Sequence, residues 1–163
     1  MKEIFLKICA LLAVKYPKMP VEMFSNQFDK LLRKENNELP ILLPAVLVEF
    51  SNTEWRSEKG RQIGDTIITI HIGQALYTEY SSKKENAFKV LDLVQAIYLI
   101  LQNEKTEISS EFKRKTTKYD KEEKNLCVYQ MDFSLQIYDD SESNNDSFLY
   151  VTPGIIVIKD ETT

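Results

Sequence analysis

His71 is the only histidine in the chain, and its side chain is the one best suited to moving a proton or binding a metal. Carboxylates that could assist it stand at Glu49, Asp65 and Glu79. Carboxylates on strands face solvent more often than they bind metals, and no second histidine is available as a ligand. A hydrolase or nuclease site made of Glu49, Asp65 and His71 would therefore require these three side chains to converge.

Cys9 and Cys127 are the only cysteines, and either could in principle act as a nucleophile with His71 as its base. Each falls at an apolar position of its segment, where a thiolate would be costly, so we interpret both as reduced core thiols. The four glycines form no phosphate-binding loop of the Walker or dinucleotide type. The sequence therefore predicts no enzyme, no cofactor and no metal.

Composition places the chain among soluble globular domains. Its 163 residues are 43% hydrophobic and 28% charged, and they fit a single domain, 1–163. A net charge of -4 argues against a protein that grips nucleic acid, so no sequence-specific nucleic-acid partner is expected. Glu3 and Lys7 interrupt the apolar N-terminal segment, which predicts a helix of the mature protein in the cytoplasm rather than a signal peptide or a membrane span.

The first half of the chain predicts a helix and two strands. A helix over 2–16 ends before Pro17, residues 21–34 fit either a helix or a short extended piece, and a strand runs from Ala45 to Phe50. SNTEWRSEKGRQIG is expected to be a long connection. The segment DTIITIHI then alternates with period two, which predicts that His71 is a half-buried strand residue on the face of Ile67 and Thr69.

The second half predicts a helix and a second hairpin. A helix over 82–102 carries an apolar stripe from Ala87 to Leu101, with Ser82 and Glu85 at capping-box spacing. Residues 103–125 are expected to form a charged, exposed loop or hairpin arm, residues 126–138 a strand, and residues 148–159 one or two strands. The predicted fold is α+β, with a mainly antiparallel four- or five-stranded sheet, two helices packed on it and the order α-β-β-α-β-β.

Two charged segments are candidates for contacts with other proteins. Trp55 stands beside Arg56, Lys59 and Arg61, an aromatic and basic group of the kind found at binding hot spots. The alternative is that Trp55 caps the edge of the core and that the charges are ordinary surface. The second segment is the acidic turn 139–146, which includes Asp139, Asp140 and Glu142.

Apolar residues also occur on the predicted second face of the sheet. They include Ile67, Leu126 and Val128, and they exceed what a core closed by one helix stripe and one strand face would need. Surplus apolar surface on a charged domain is typical of an interface.

The segments LPAVLVEFSNTEW and GDTIITIHIG resemble the tail terminator, or minor tail, proteins of long-tailed bacteriophages and prophages. The matching positions are Pro44, Ala45, Val46, Glu49 and Phe50, then Ile67 to Ile72, then the helix around Val90 to Leu101. In that family an N-terminal helix, such a strand, a long hairpin and a second strand precede a helix and a second hairpin.

This resemblance implies a structural virion protein that stops tail-tube growth and joins the tail to the head. The implied partners are further copies of the chain in a ring, expected to be a hexamer, together with the tail tube protein and a head-tail connector protein. The implied location is the bacterial host cytoplasm during assembly, and then the virion or a tail-like particle. A ring subunit needs two unlike patches, and the Trp55 loop and the acidic turn are the candidates by charge. The alternatives are a neck or head-completion protein, a small-molecule-binding or regulatory α+β domain, and the hydrolase described above.

Overall fold

The computed structural model describes residues 1–33, 41–75, 83–123 and 126–140. Within these ranges the fold is α+β, with three helices and six strands in the order α-β-α-β-β-β-α-β-β. The helices are α1 (Lys2–Lys15), α2 (Gln27–Arg33) and α3 (Lys83–Leu101), and the strands are β1 (Val21–Met23), β2 (Ala45–Phe50), β3 (Glu54–Glu58), β4 (Arg61–Ala75), β5 (Lys113–Glu123) and β6 (Leu126–Asp139). The α+β class is confirmed. The predicted order, the count of two helices and the count of four or five strands are wrong, because 21–33 adds β1 and α2, and β3 lies in the expected connection.

The sheet is mostly antiparallel and is organised around β4. Its strands lie in the order β1-β2-β4-β6-β5, with β3 as an additional partner of β4. β1 pairs with β2 in parallel, and the other pairs are antiparallel. Because β4 has 15 residues, its first part pairs with β3 and its later part with β2 on the same side. The middle of the described sheet is therefore the long β4–β6 ladder, from Gln62↔Asp139 to Ala75↔Leu126.

β3 replaces the long connection that the sequence predicted after Phe50. All five of its residues are exposed, so it lacks the apolar alternation by which a strand is recognised. A two-residue turn at Lys59 and Gly60, both with positive φ, joins it to β4. This is the turn geometry that tight hairpins favour, and glycine adopts it without steric cost. A short arm, residues 54–65, thus extends the sheet where a loop was expected.

One face of the sheet, the α1/α3 face, carries the main core. Ile4, Ile8 and Leu12 are fully buried, as their helical spacing predicts. Buried residues of α3 and of the sheet complete this core: Val90, Leu93, Val94, Ile97 and Leu101 from α3, and Val46, Val48, Ile68, Ile70, Ile72, Met131 and Phe133 from the strands. Leu91, which the sequence placed in the buried stripe, is 47% exposed. Ser82, the predicted cap, lies outside the described residues.

The opposite face, the α2 face, is covered at one end by α2. Phe28 packs there with Ala45, Leu47, Leu126 and Val128. The exposed fractions of Leu126 and Val128 are only 3% and 1%, because α2 covers them. The prediction that these two residues form surplus interface surface is therefore wrong. Ile67 lies beyond the cover and is 42% exposed.

The charged segment 103–125 contains an edge strand. Its last part is β5, which pairs with β6 from Lys113↔Ser134 to Glu123↔Leu126, with two register shifts. The part before β5 returns from α3 to the sheet, where Phe112 is buried and Ser109 bridges to Ile137. Residues 148–159, predicted as one or two strands, lie outside the described residues.

Candidate protein-protein interface

Trp55 lies on the arm, with its ring packed over the backbone of β4. It pairs with Gly64, and an added Cβ at Gly64 would lie 3.0 Å from two carbons of the indole and 2.5 Å from the Thr53 methyl. Glycine at this position therefore lets the ring approach the strand. Because Trp55 is still 48% exposed, it combines packing against β4 with a large accessible apolar surface.

Arg56 and Asp65 form an ion pair across the arm. The guanidinium of Arg56 donates to Oδ2 of Asp65, and the Gln136 side chain donates to Oδ1 at 3.0 Å. Asp65 thus joins the arm to β6. About half of each charged side chain is exposed, so the pair orders the arm more than it stabilises the fold.

Arg61 and Asp140 bring the two predicted patches together. The Arg61 guanidinium makes a bidentate contact with the Asp140 carboxylate. Its Nη2 donates to Oδ2 at 2.8 Å, and its Nε donates to Oδ1. The guanidinium also lies 5.3 Å from the centre of the Tyr138 ring. The hydrogen bond from Arg61 lowers the pKa of the Asp140 carboxyl, and the same contact raises the pKa of Arg61. The Trp55 segment and the start of the acidic turn therefore meet at one end of the sheet within a single copy.

The other predicted interface residues lie around this surface. Lys59 is the first residue of the exposed turn, and Asp139 is aligned with Gln62 at the end of the β4–β6 ladder. Glu142 lies outside the described residues. Of the seven candidates, six are thus described, and they lie at one end of the sheet.

His71 is enclosed by a carboxylate and an aromatic ring. Its Nε2 lies 2.8 Å from Oε2 of Glu49, and its ring stacks on Phe24 with 4.2 Å between centroids and an interplanar angle of 5°. The residue is 5% exposed, so it is more deeply buried than the half-buried position predicted. The phenyl ring covers the imidazole where a substrate would need to approach. No signal in the sequence identified Phe24 as this partner.

The residues of the hydrolase hypothesis do not converge. Asp65 lies six residues before His71 on the same strand, which is roughly 20 Å of extended chain. Cys127 faces the α1/α3 core and is separated from His71 by the sheet, while Cys9 lies on α1. Burial raises the pKa of the Cys9 thiol, which disfavours the thiolate. Across 1–33, 41–75, 83–123 and 126–140, no group of three histidine, cysteine or acidic residues could hold a metal.

Two open grooves on the described surface have charged side chains in their walls. One lies between α1 and the chain that follows α3, and its walls include Glu3, Lys7, Lys105 and Glu107. Another crosses the α2 face beside Glu54, Asp65 and Lys113. The regulatory-domain alternative predicts a closed apolar pocket, and both of these grooves are open to solvent. None of the described helices combines the length and apolarity needed to cross a bilayer.

Comparison with known proteins gives little beyond this geometry. No protein-family model and no curated protein matches the sequence. Among solved structures, the chain is similar to a chain of the virion of a native gene transfer agent particle. The two are 13% identical, the alignment covers 80% of this chain and 86% of the other, and the TM-score is 0.42. We draw no functional conclusion from a similarity at this level.

Proposed function

We propose that the protein is a non-enzymatic structural subunit of a phage or prophage particle, a tail terminator that forms a ring, caps the tail tube and joins the tail to the head. The observation that carries this proposal is the arm. It is a regular, hydrogen-bonded extension of the sheet with all five β3 residues exposed and with Trp55 and Arg56 on its two faces. An ordered arm with an exposed aromatic residue is suited to contact with another protein.

The resemblance of the sequence supports the same function. The Pro44 to Phe50 strand, the long hairpin, the Ile67 to Ile72 strand, the α3 helix and a second hairpin follow one another along the described chain. This is the order of elements expected of tail terminators, with β1 and α2 as additions between the first helix and β2. The charged residues of the arm and of β5 add surface for contacts at both edges of the sheet.

The arrangement of polar residues supports a structural rather than a catalytic role. Glu49 and Asp132 are engaged within the sheet, the first with His71 and the second with Thr69 and Thr116 at 2.8 and 2.6 Å. Such contacts stabilise a face of a sheet and give both carboxylates a structural role, as a tail terminator would require.

Tail tubes provide the direct test. The purified protein would be added to tubes assembled from the tail tube protein of the same phage or prophage, and bound complexes would be cross-linked and imaged. We expect density at the tube ends, arrest of tube growth and cross-linked species up to a hexamer. Tubes that grow unchanged at saturating protein, or a stable two-fold dimer that ignores tubes, would contradict the proposal.

A further inference from the structure

We propose that a second copy of this chain binds along the outer edge of β5, where Lys113 and Lys118 of one copy contact Glu58 and Glu54 of the next. This inference rests on the ring proposed above and specifies which surfaces form its contact. It also replaces the two patches predicted from the sequence, which the Arg61–Asp140 contact joins into one surface.

β5 carries a row of lysines with no carboxylate partner. Lys113, Lys115 and Lys118 are exposed, and none forms an ion pair or a side-chain hydrogen bond within the described residues. Arg114 is used differently, since its guanidinium lies 3.5 Å from the centre of the Tyr98 ring. On a chain whose net charge is -4, unpaired lysines on an edge strand form a local positive surface that can select an acidic partner.

β3 carries the complementary charge at the opposite edge of the sheet. Glu54 and Glu58 are exposed and have no ion-pair partner among the described residues. The arginine between them, Arg56, is already paired with Asp65. β3 itself therefore presents two carboxylates, and the nearest unpaired cation in the described ranges is Lys59 in the turn that follows it. β5 is paired only with β6, and β3 only with β4, within the described part of the chain.

The two charged pairs match in spacing and in face. Lys113 and Lys118 align with Ser134 and Gln130, four residues apart on β6, and Glu54 and Glu58 are four residues apart on β3. Both spacings are roughly 13 Å. Through the ladders all four side chains lie on the α2 face.

Strand direction is also compatible with head-to-tail contact. β3 and β6 are both antiparallel to β4, and β5 is antiparallel to β6, so β3 and β5 run in opposite directions. A copy related by rotation about an axis along the strands would place its β3 antiparallel to the neighbouring β5. In that orientation Glu58 meets Lys113 and Glu54 meets Lys118. Such a contact joins unlike surfaces, as a closed ring requires.

The stagger between the two edges has the size expected of a closed sheet. Glu58 aligns with Arg61, whereas Lys113 aligns through Ser134 with Ile67, six residues further along β4. Along the strands, this offset of six residues is roughly 20 Å. Across the strands, the four that each copy would contribute, β3, β4, β6 and β5, span about 19 Å at ~4.8 Å per strand. The resulting strand tilt of roughly 45° is close to the 35–45° of closed barrels.

Lysines and bulges on an edge strand can also serve to prevent association. β5 has irregularities at Lys115 and Asp120, and natural sheets use such features to protect their edges. Protection alone requires no acidic partner at a matching spacing, whereas the contact proposed here does. The two roles predict different responses to charge reversal.

Charge reversal tests the contact. One variant carries Lys113→Glu and Lys118→Glu, a second carries Glu54→Lys and Glu58→Lys, and Lys2→Glu with Lys18→Glu is the control for the first, since both of these lysines are exposed and lie outside β5. Self-association would be measured by sedimentation, alone and with tail tubes. We expect each edge variant to weaken association by about tenfold or more, and the control to behave as wild type.

Mixing the two edge variants gives the decisive result. In an equimolar mixture, each reversed β5 meets a reversed β3, so association should return as rings of alternating copies. Weakening without recovery, or association equal to that of wild type in both variants, would overturn the inference. Loss of binding to a DNA fragment in the β5 variant, with normal self-association, would instead assign the lysine row to a phosphate backbone and would also overturn it.

The failure of this contact is distinguishable from failure of the proposed function. If tubes are capped by rings that tolerate both charge reversals, the terminator function stands and only the edge contact is wrong. Capping by monomers would likewise contradict the edge contact. If neither the wild type nor any variant binds tubes, while the purified wild type forms rings that the charge reversals disrupt, the edge contact stands and the terminator function is wrong.

Discussion

At the scale of single residues, His71 shows how a reactive side chain becomes structural. Its imidazole is hydrogen-bonded to the Glu49 carboxylate and stacked on the Phe24 ring. Phe24 belongs to the segment that connects β1 and α2. The histidine thus helps to hold this segment on the sheet. The buried position excludes water from one side of the ring, while the Glu49 side chain is 44% exposed and keeps contact with solvent.

We predict that His71→Gln leaves assembly intact and lowers the free energy of unfolding by about 1 to 2 kcal/mol. The glutamine amide can still donate to Glu49, but it cannot stack on Phe24 as the imidazole does. Urea unfolding followed by circular dichroism measures the loss, and Glu49→Gln is the control that keeps the stacked ring. Stoichiometric metal in the wild-type protein, absent from His71→Gln, would contradict a structural role.

The contact of Arg61 with Asp140 makes a prediction about pH. Because Arg61 lowers the pKa of the Asp140 carboxyl, the contact is complete above the usual range of an aspartate and is lost as pH falls through the lowered pKa. NMR titration of the carboxyl carbon should find Asp140 below its usual range in the wild type. Arg61→Gln should return the pKa towards that range. An Asp140 titration that is unchanged by this substitution would show that the ion pair does not form in solution.

At the scale of elements, the arm depends on close packing between β3 and β4. Gly64→Ala places a methyl group against Thr53 and the Trp55 ring, and we expect this overpacking to cost about 1 to 3 kcal/mol. Trp55 is the only tryptophan, so its fluorescence reports directly on the arm. A shift of the emission spectrum should accompany the loss of stability. Ser57→Ala, at an exposed position of the same strand, should change neither.

The surface of the arm makes a separate prediction. Trp55→Ala combined with Arg56→Ala removes the exposed indole and the guanidinium paired with Asp65. The circular dichroism spectrum should stay unchanged, because neither side chain belongs to a buried core cluster. Binding to tail tubes, or association between copies, should weaken. Equal sedimentation of variant and wild type under both conditions would show that the arm is ordinary surface.

The sequence predicts the elements whose buried residues recur with a helical or strand period. It gives no clear signal for strands that are stabilised mainly by hydrogen-bonded pairing with another strand. α1, α3, β2, β4 and β6 each carry an apolar pattern, and each is found where the pattern places it. β3 is exposed along its whole length and three of its five residues are charged, and it forms because the turn at Lys59 and Gly60 aligns it with β4. β5 also lacks an apolar pattern, and for its segment the sequence left a loop and a hairpin arm as alternatives.

The candidate site was predictable in its residue types and not in its geometry. Trp55 with its neighbouring cations is a local signal, and it correctly marks the arm as exposed. The contacts of Arg56 with Asp65 and of Arg61 with Asp140 depend on the register of β3 against β4 and of β4 against β6. Arg61 and Asp140 are 79 residues apart in the chain, so their contact depends on the strand register of the folded sheet. No local sequence pattern specifies that register.

At the scale of the whole molecule, the main core is complete without a partner. The α1/α3 face is closed by two helices, and one end of the α2 face is closed by α2, so a single copy has the means to fold. Within the described residues, the surfaces proposed here for assembly are the arm and the outer edge of β5, both of which are charged. A single contact of this kind between exposed charges is weak, so the free chain is expected to associate only at high concentration.

Weak contacts between copies lead to a prediction about thermal stability. In the proposed assembly, a tube end would hold neighbouring copies side by side, so each contact would form at a high effective concentration. A partner that binds only the folded chain stabilises it by mass action. At a tube concentration 100 times the dissociation constant, the gain is about 2.7 kcal/mol, which raises the melting temperature of a domain of this size by several degrees. Differential scanning calorimetry with and without tubes measures this shift. The Trp55→Ala, Arg56→Ala variant, compared with its own melting temperature when free, should lose most of the shift with tubes. The contradicting result is a melting temperature that stays the same at saturating tubes while imaging shows the wild type bound. It would mean that tubes bind the folded and unfolded chains equally well, and the proposed assembly would be wrong.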